Sequence, residues 1–216
     1  MSGFARDGIK ELAAGLFFFA TAGVLAGFFF PYALPVPALG FIFVAYFFRD
    51  PQRQVPPGSN AVVSPADGTI VDISEIDEND FLKCKTVRIG IFMSVFSVHV
   101  NRMPIAGRIE FVRHTPGKFL NALKSEASLH NENNLIGAHN DEKNFNFMVR
   151  QIAGIIARRI VCGCKTGDIL GKGEKFGMIK FGSRAEVYLP KEIAGEFKVK
   201  LNDKVKAGES ILVMLK

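Results

Sequence analysis

Two uninterrupted apolar runs open the chain, and shorter alternating segments follow them. Leu12 to Phe30 holds no charged residue and no proline. As a helix it reaches about 28 Å, close to the hydrocarbon thickness of a bilayer. Pro31, Pro35 and Pro37 are expected to break that helix, and Ala38 to Phe48 forms a second run. That run reaches about 17 Å if it starts at Ala38, so it is either re-entrant or begins earlier. Arg6 and Lys10 precede the block, Arg49 and Arg53 follow it, and residues 31–37 carry no charge. A helical hairpin with both ends cytoplasmic satisfies the positive-inside rule. A cleaved signal peptide is the competing reading, but there is no A-x-A-like site and a second apolar run follows directly. Residues 1–50 are therefore expected to anchor the protein in the cell membrane, with residues 51–216 forming a separate domain on the cytoplasmic side.

Beyond the proline-rich linker the pattern changes to strands and turns. Val62-Val63, Thr69 to Ile73, Thr86 to Phe92, Phe96 to Met103, Gly107 to Arg113 and Phe145 to Ile152 read as strands. Lys118 to Ser128 has helical spacing, Ile155 to Ile160 suits a short helix, and the polar stretch Leu129 to Asn144 reads as a loop. Gly167-Asp168 through Gly173-Glu174 recurs as Asn202-Asp203 through Gly208-Glu209. Each is expected to be a tight turn leading into a strand, Lys175 to Phe181 and Ser210 to Leu215. Ser64-Pro65-Ala66-Asp67-Gly68-Thr69-Ile70-Val71 resembles the opening strand of lipoyl-like barrels, and the two echoes resemble their turns, although such turn chemistry occurs in any β protein. The fold expected is mainly β with α (α+β): a barrel-sandwich or lipoyl-like β core preceded by the membrane helical hairpin.

The net charge of +6 implies an anionic partner, and the apolar block, with no nucleic-acid reader motif present, makes that partner a membrane rather than nucleic acid. Phe is abundant, at 21 residues, and Trp is absent. Three cysteines, Cys84, Cys162 and Cys164, have no disulfide-scaffold spacing. Cys162 and Cys164 share a face if extended, where small apolar residues are usually core; a metal there would need two further ligands, and none is expected.

The residues that carry chemistry lie in Phe176-Gly-Met-Ile-Lys-Phe-Gly182-Ser183-Arg184-Ala-Glu-Val-Tyr-Leu-Pro190. A glycine inside an apolar strand pattern either marks a bulge followed by a solvent-facing serine or permits strained angles at which a hydroxyl reaches its own carbonyl. The second case allows an N→O acyl shift. Ser183 Oγ attacks the Gly182 carbonyl, elimination of the ester leaves dehydroalanine, and hydrolysis yields ammonia and an N-terminal pyruvoyl group.

This segment, extended back to Arg158-Arg-Ile-Val-Cys162, resembles the C-terminal signature of short phosphatidylserine decarboxylases. The likeness continues in Phe47-Phe-Arg-Asp-Pro51, Ser64-Pro-Ala-Asp-Gly68, Phe92-Met-Ser-Val-Phe-Ser-Val-His-Val-Asn-Arg-Met-Pro104 and Pro116-Gly-Lys-Phe119, and covers nearly the whole chain. The resemblance implies a proenzyme cut between Gly182 and Ser183 into a β chain, 1–182, and an α chain, 183–216. The two would stay paired as a heterodimer, with Val187 to Leu189 and Ile211 to Leu215 buried. It implies a pyruvoyl group made from Ser183, with no dissociable cofactor, that forms a Schiff base with phosphatidylserine and releases phosphatidylethanolamine and CO₂.

Self-cleavage needs a base, and the matching segments offer His99, with Asp67 to orient it. Taken as bare residues, Asp67 can equally stabilise the turn at Gly68, and His99 can equally be a hydrogen-bonded strand residue sharing a face with Ser97 and Asn101. Longer bacterial members carry a second histidine where this chain has Arg102. Either His99 serves both steps, or His114 or Arg102 contributes to one; Arg102 suits a carboxylate or phosphate. His130 and His139 fall in the polar stretch, and no zinc-type histidine spacing occurs. An archaetidylserine substrate would leave the headgroup chemistry unchanged. The alternatives outside catalysis are a membrane adaptor with a lipoyl-like barrel, which would not need the Gly182-Ser183 segment, and an inactive homologue, against which the intact pair argues.

Overall fold

The structure is a computed structural model that describes residues 3–30, 32, 35–124, 126–155, 159–180 and 182–216. The chain forms two compact units, Met1–Gln52 and Arg53–Lys216. In the first, strand β1 (Gly3–Phe4) leads through a 3₁₀ turn (Arg6–Gly8) into α1 (Ile9–Phe29). Helix α2 (Pro35–Phe47) returns the chain to β2 (Arg49–Asp50), which pairs antiparallel with β1. The two helices pack together and both ends of the hairpin lie on one side. α1 ends at Phe29, ahead of the prolines as expected, and the second run begins earlier than Ala38, with Pro35 and Pro37 in the first turn of α2. The first four N–H groups of a helix lack internal partners, so proline's missing donor costs nothing there. By length and composition α1 can cross a membrane, and none of its side chains is buried.

The second unit is built from strands β3 (Ala61–Val63), β4 (Gly68–Glu78), β5 (Cys84–Met93), β6 (Val100–Arg102) and β7 (Gly107–Thr115). After the short helix α3 (Ala127–His130) come β8 (Asn133–Asn140), β9 (Phe145–Ile152), β10 (Arg159–Cys162), β11 (Ile169–Leu170) and β12 (Lys175–Lys180). Strands β13 (Ser183–Pro190), β14 (Ala194–Phe197), β15 (Lys204–Val205) and β16 (Ile211–Leu215) complete it. An eight-stranded sheet runs β11-β7-β8-β9-β13-β5-β4-β15, flanked by three-stranded sheets β10-β12-β6 and β14-β16-β3. Bulges at Ile70/Asp72 in β4 and Ile109/Phe111 in β7 bend the large sheet into a half-barrel. Ile70, Ile89, Ile91, Ile109, Ile136, Phe147, Val187 and Leu189 fill its concave face.

The internal echo is a structural repeat. Gly167 and Asn202 both have positive φ, as do Gly173 and Gly208. Asp168 and Asp203 each accept a bond from the backbone N–H three residues earlier, at 2.9 Å. Gly167 N donates to Ile109 O and Ile109 N to Asp168 O, as Asn202 N donates to Ile70 O and Ile70 N to Asp203 O at the other turn.

Four local expectations change. Residues 133–140 form central strand β8, because Asn133, Asn134 and Asn140 are buried and bonded internally rather than solvated. Within 96–103 only β6 is strand; Ser97 N bonds to Ser94 O and closes a turn. Residues 118–124 form no helix and, among the described residues of this stretch, only Ala127–His130 is helical, since Asn131 occupies the backbone groups of Leu120 from its side chain. Of the helix expected over 155–160, residues 156–158 lie outside the described residues, and Arg159 and Ile160 belong to β10.

Candidate active site

The chain leaves one sheet and enters another between β12 and β13, and Gly182 makes that crossing with φ 54°, in the left-handed region that favours glycine. Ser183 opens β13 opposite Met93, the last residue of β5. It is fully buried, and its Oγ donates to Met93 Sδ at 3.4 Å. The solvent-facing serine that a simple bulge would give is therefore absent.

Two loops close on this corner. A Cβ built on Gly154 would lie 2.0 Å from the Gly182 carbonyl oxygen and 3.3 Å from Ala122 Cβ. Only a residue without a side chain lets the carbonyl sit there. Beside it lies a mostly apolar cavity of about 270 Å³ lined by Phe92, Ser94, Val95, Asn121, Ala122, Ile155 and Gly182. Gly154→Ala must push that carbonyl away, at a strain of roughly 1–3 kcal/mol. If the chain cuts itself at Gly182, cutting followed on a gel is expected to slow by about 10- to 100-fold in this variant; an unchanged time course would mean the carbonyl's position does not matter.

Strand β6 brings His99 to the same region. Val100 pairs with Met178, and Ile179 N bonds to His99 O at 3.3 Å, so His99 stands beside the end of β12 from which the chain turns to Gly182. The ring is buried, with Nδ1 at 2.9 Å from Ser97 O. A carbonyl partner requires a proton on Nδ1, which puts the lone pair on Nε2. Asn101, two residues on, directs Nδ2 at Met93 Sδ, 3.8 Å away, so it and Ser183 share the same sulfur.

The other expected residues have the following partners. Both oxygens of Asp67 accept from Arg53 Nη2, at 2.9 and 2.8 Å, and Oδ1 also accepts from Ala207 N at 2.7 Å. Arg102 is buried and donates to Gly173 O at 3.1 Å. It faces Lys175, so most of β12, roughly 17 Å of strand, separates it from Gly182. His114 is exposed on β7, with Nε2 4.0 Å from Glu132, and three strand spacings, about 14 Å, lie between β7 and β13. His139 bonds Asn146 at 2.7 Å within the sheet.

Two buried polar networks were not anticipated. Beneath the corner, Asn134 Nδ2 donates to Gln151 Oε1 and Gln151 Nε2 donates to Asn101 Oδ1, at 3.1 and 2.9 Å. On the other face of β13, Arg184 Nε donates to Glu186 Oε1 at 2.7 Å and its Nη2 reaches Asp72 at 3.2 Å. Ser128 Oγ and Tyr188 OH complete Glu186, at 2.6 and 2.5 Å, and Arg88 joins Asp72 at 2.7 Å. Burial, reinforced by the Glu186 charge, pushes the Tyr188 phenol up. Cys162 and Cys164 place their sulfurs 3.4 Å apart, and the hydrogen bond from Cys164 lowers Cys162 to about 6. Among the described residues no cluster of three or more His, Cys, Asp or Glu could hold a metal ion. Nothing in the sequence marked Gly154, which reads as an ordinary loop glycine. Asn101 could have been found, since it shares the His99 face in any extended reading.

The family model described as phosphatidylserine decarboxylase matches residues 41–213. Proteins named phosphatidylserine decarboxylase proenzyme are among the relatives. The one from Carboxydothermus hydrogenoformans is 48% identical over 82% of this chain and 81% of its own. That from Rhodopirellula baltica is 45% identical over 96% and 86%, and that from Syntrophus aciditrophicus 42% over 96% and 95%. Matches of this identity, running through β12, Gly182 and β13, establish that the chain belongs to the phosphatidylserine decarboxylase family.

Proposed function

We propose that the chain cuts itself between Gly182 and Ser183 into a β chain, 1–182, and an α chain, 183–216, and that the pair decarboxylates phosphatidylserine to phosphatidylethanolamine and CO₂. The observation that carries this reading is a buried serine following a left-handed glycine at the crossing of two sheets, inside a family-matched segment. His99 is the base: Ser97 O fixes its ring and Nε2 takes the Ser183 proton. Oγ adds to the Gly182 carbonyl, the C–N bond breaks as the ester forms, and the proton held by His99 passes to the departing nitrogen, which becomes a free amine. Elimination then frees the Gly182 carboxylate and leaves dehydroalanine. One water converts that to the ketone and releases ammonia.

A pyruvoyl group is no larger than the serine it replaces, so the fully buried position at 183 accommodates it without new space. Once formed, the group supplies a ketone that takes up the substrate amine and accepts the electron pair left by CO₂. Phe92 and Val95 exclude water from the cavity, while Ser94 and Asn121 offer polar contacts to the headgroup. Arg102 and His114, held at a distance, serve the substrate only from the periphery. The matched turns at 167–174 and 202–209 favour a barrel-sandwich, lipoyl-like core. The apolar hairpin anchors the protein, with its cationic ends and the catalytic domain on the cytoplasmic side.

Intact mass of the purified protein tests the reading: two chains are expected, the smaller without a free α-amine, and a single persistent full-length chain sinks it. His99→Ala is expected to slow cutting or decarboxylation by about 10²- to 10⁴-fold, and normal rates of both would remove it from the site. Asp67→Asn separates the two roles open to that carboxylate. Slower cutting at an unchanged melting temperature assigns it to His99; a lowered melting temperature with normal cutting assigns it to Arg53 and the turn.

A further inference from the structure

The cavity beside Gly182 opens among side chains that a water-facing surface would not select. Leu123 is 50% exposed, Ile155 60% and Phe96 63%. They are neighbours: Ile155 lines the cavity together with Val95 and Ala122, to which Phe96 and Leu123 are adjacent in the chain. The loop that presents Leu123 is braced from below. Buried Asn131 accepts from Leu120 N at 2.8 Å and donates to Leu120 O at 2.8 Å and to Ala153 O at 2.7 Å, tying the segment to the one that carries Ile155. Lys118 adds backbone bonds to His130 and Glu132. Leu123 stands outward from this anchored segment, and an apolar surface of this kind calls for a covering. Its charge indicates which covering. From Lys118 to His130 the exposed charged groups are the cations Lys118 and Lys124 against the single anion Glu126, while Arg113, at the edge of the patch, is paired with Asp80 at 2.9 Å. An apolar tip flanked by cations matches the surface of an anionic bilayer, where side chains enter the acyl boundary and lysines meet headgroups.

We infer that the rim formed by Phe96, Leu123 and Ile155 is a second membrane contact, separate from the N-terminal hairpin, which seats the cavity mouth on an anionic phospholipid surface. It rests on the reading that Ser183 and this cavity form the site, and adds the route of entry: the headgroup rises into the cavity while the acyl chains stay in the bilayer.

The chain has no tryptophan, so one introduced indole reports alone. Leu123→Trp and Phe96→Trp, each in the full-length protein, are reconstituted into phosphatidylcholine–phosphatidylglycerol vesicles with brominated acyl chains. Ile169→Trp is the control: Ile169 is exposed on β11, paired with Arg108 at the far end of β7 from the rim. Quenching at 123 and 96 is expected to exceed the control by at least about twofold, with blue-shifted emission. Quenching equal to the control overturns the inference, as does an emission shift that follows protein concentration without lipid, which would assign the rim to a second copy of the chain. This readout needs neither cutting nor turnover, so its failure is distinct from failure of the decarboxylase reading. Leu123→Glu supplies the functional arm. Its KM for phosphatidylserine in vesicles is expected to rise roughly tenfold while turnover of a water-soluble short-chain phosphatidylserine stays unchanged; equal losses on both substrates overturn the surface.

Discussion

Replacing Ser183 by alanine is expected to leave one uncut chain of 23.7 kDa and to reduce decarboxylation by at least about 10⁴-fold. On the proposed mechanism the substitution removes the atom that attacks the Gly182 carbonyl, and with it the source of the ketone. It removes little else: the Oγ contact to Met93 Sδ is a weak hydrogen bond, and the remaining side-chain atom still faces the same buried space. Stability is therefore expected to change by less than about 1 kcal/mol. A gel, an activity assay on phosphatidylserine vesicles and a denaturation curve check the three parts together. Substantial turnover by the uncut variant would defeat the mechanism.

The second large effect is on cohesion rather than chemistry. Glu186→Ala is expected to cost about 3–5 kcal/mol, the range for removing one partner of a buried ion pair. Arg184 is 1% exposed and Glu186 0%, so the guanidinium left behind cannot be rescued by water. Ser128 and Tyr188 lose their acceptor at the same time. Asp72 still neutralises part of the Arg184 charge, which keeps the expected loss within that range rather than above it. Urea denaturation measures it. The apolar pair Arg184→Met with Glu186→Leu should recover most of the loss, because no stranded charge remains. A single-variant cost below about 1 kcal/mol would show the network to be dispensable.

Features fixed by local chemistry were legible in the sequence, and those fixed by distant neighbours were not. The hairpin could be read from charge-free runs, and the repeated turns from Gly and Asp at matched offsets, because each needs only a few adjacent residues. The Gly182-Ser183 pair could be read as a chemical possibility, but its burial against Met93 comes from β5, ninety positions earlier in the chain. Strand β8 was hidden by its asparagines, whose amides are satisfied inside the sheet instead of by water. Arg184 and Glu186 alternate with Ala185 and Val187 as outward residues would. Helix α3 and the long strand β4 bury them through Ser128 and Asp72, and no periodicity discloses that. Asp67 offered two readings, and the partner that now occupies it, Arg53, lies in the linker, where no pairing was sought.

Strand β13 lies in the interior of the large sheet, joined along its whole length to β5 and over five residues to β9. A peptide beginning at Ser183 would have to thread between two finished neighbours if it were made separately, so one continuous gene product solves an assembly problem. The same arrangement makes folding a licence for reactivity. On the proposed mechanism, a chain that has not completed the sheet would neither bend Gly182 against Gly154 nor bury the hydroxyl, so the electrophile would be issued only to molecules that have already passed inspection by their own architecture.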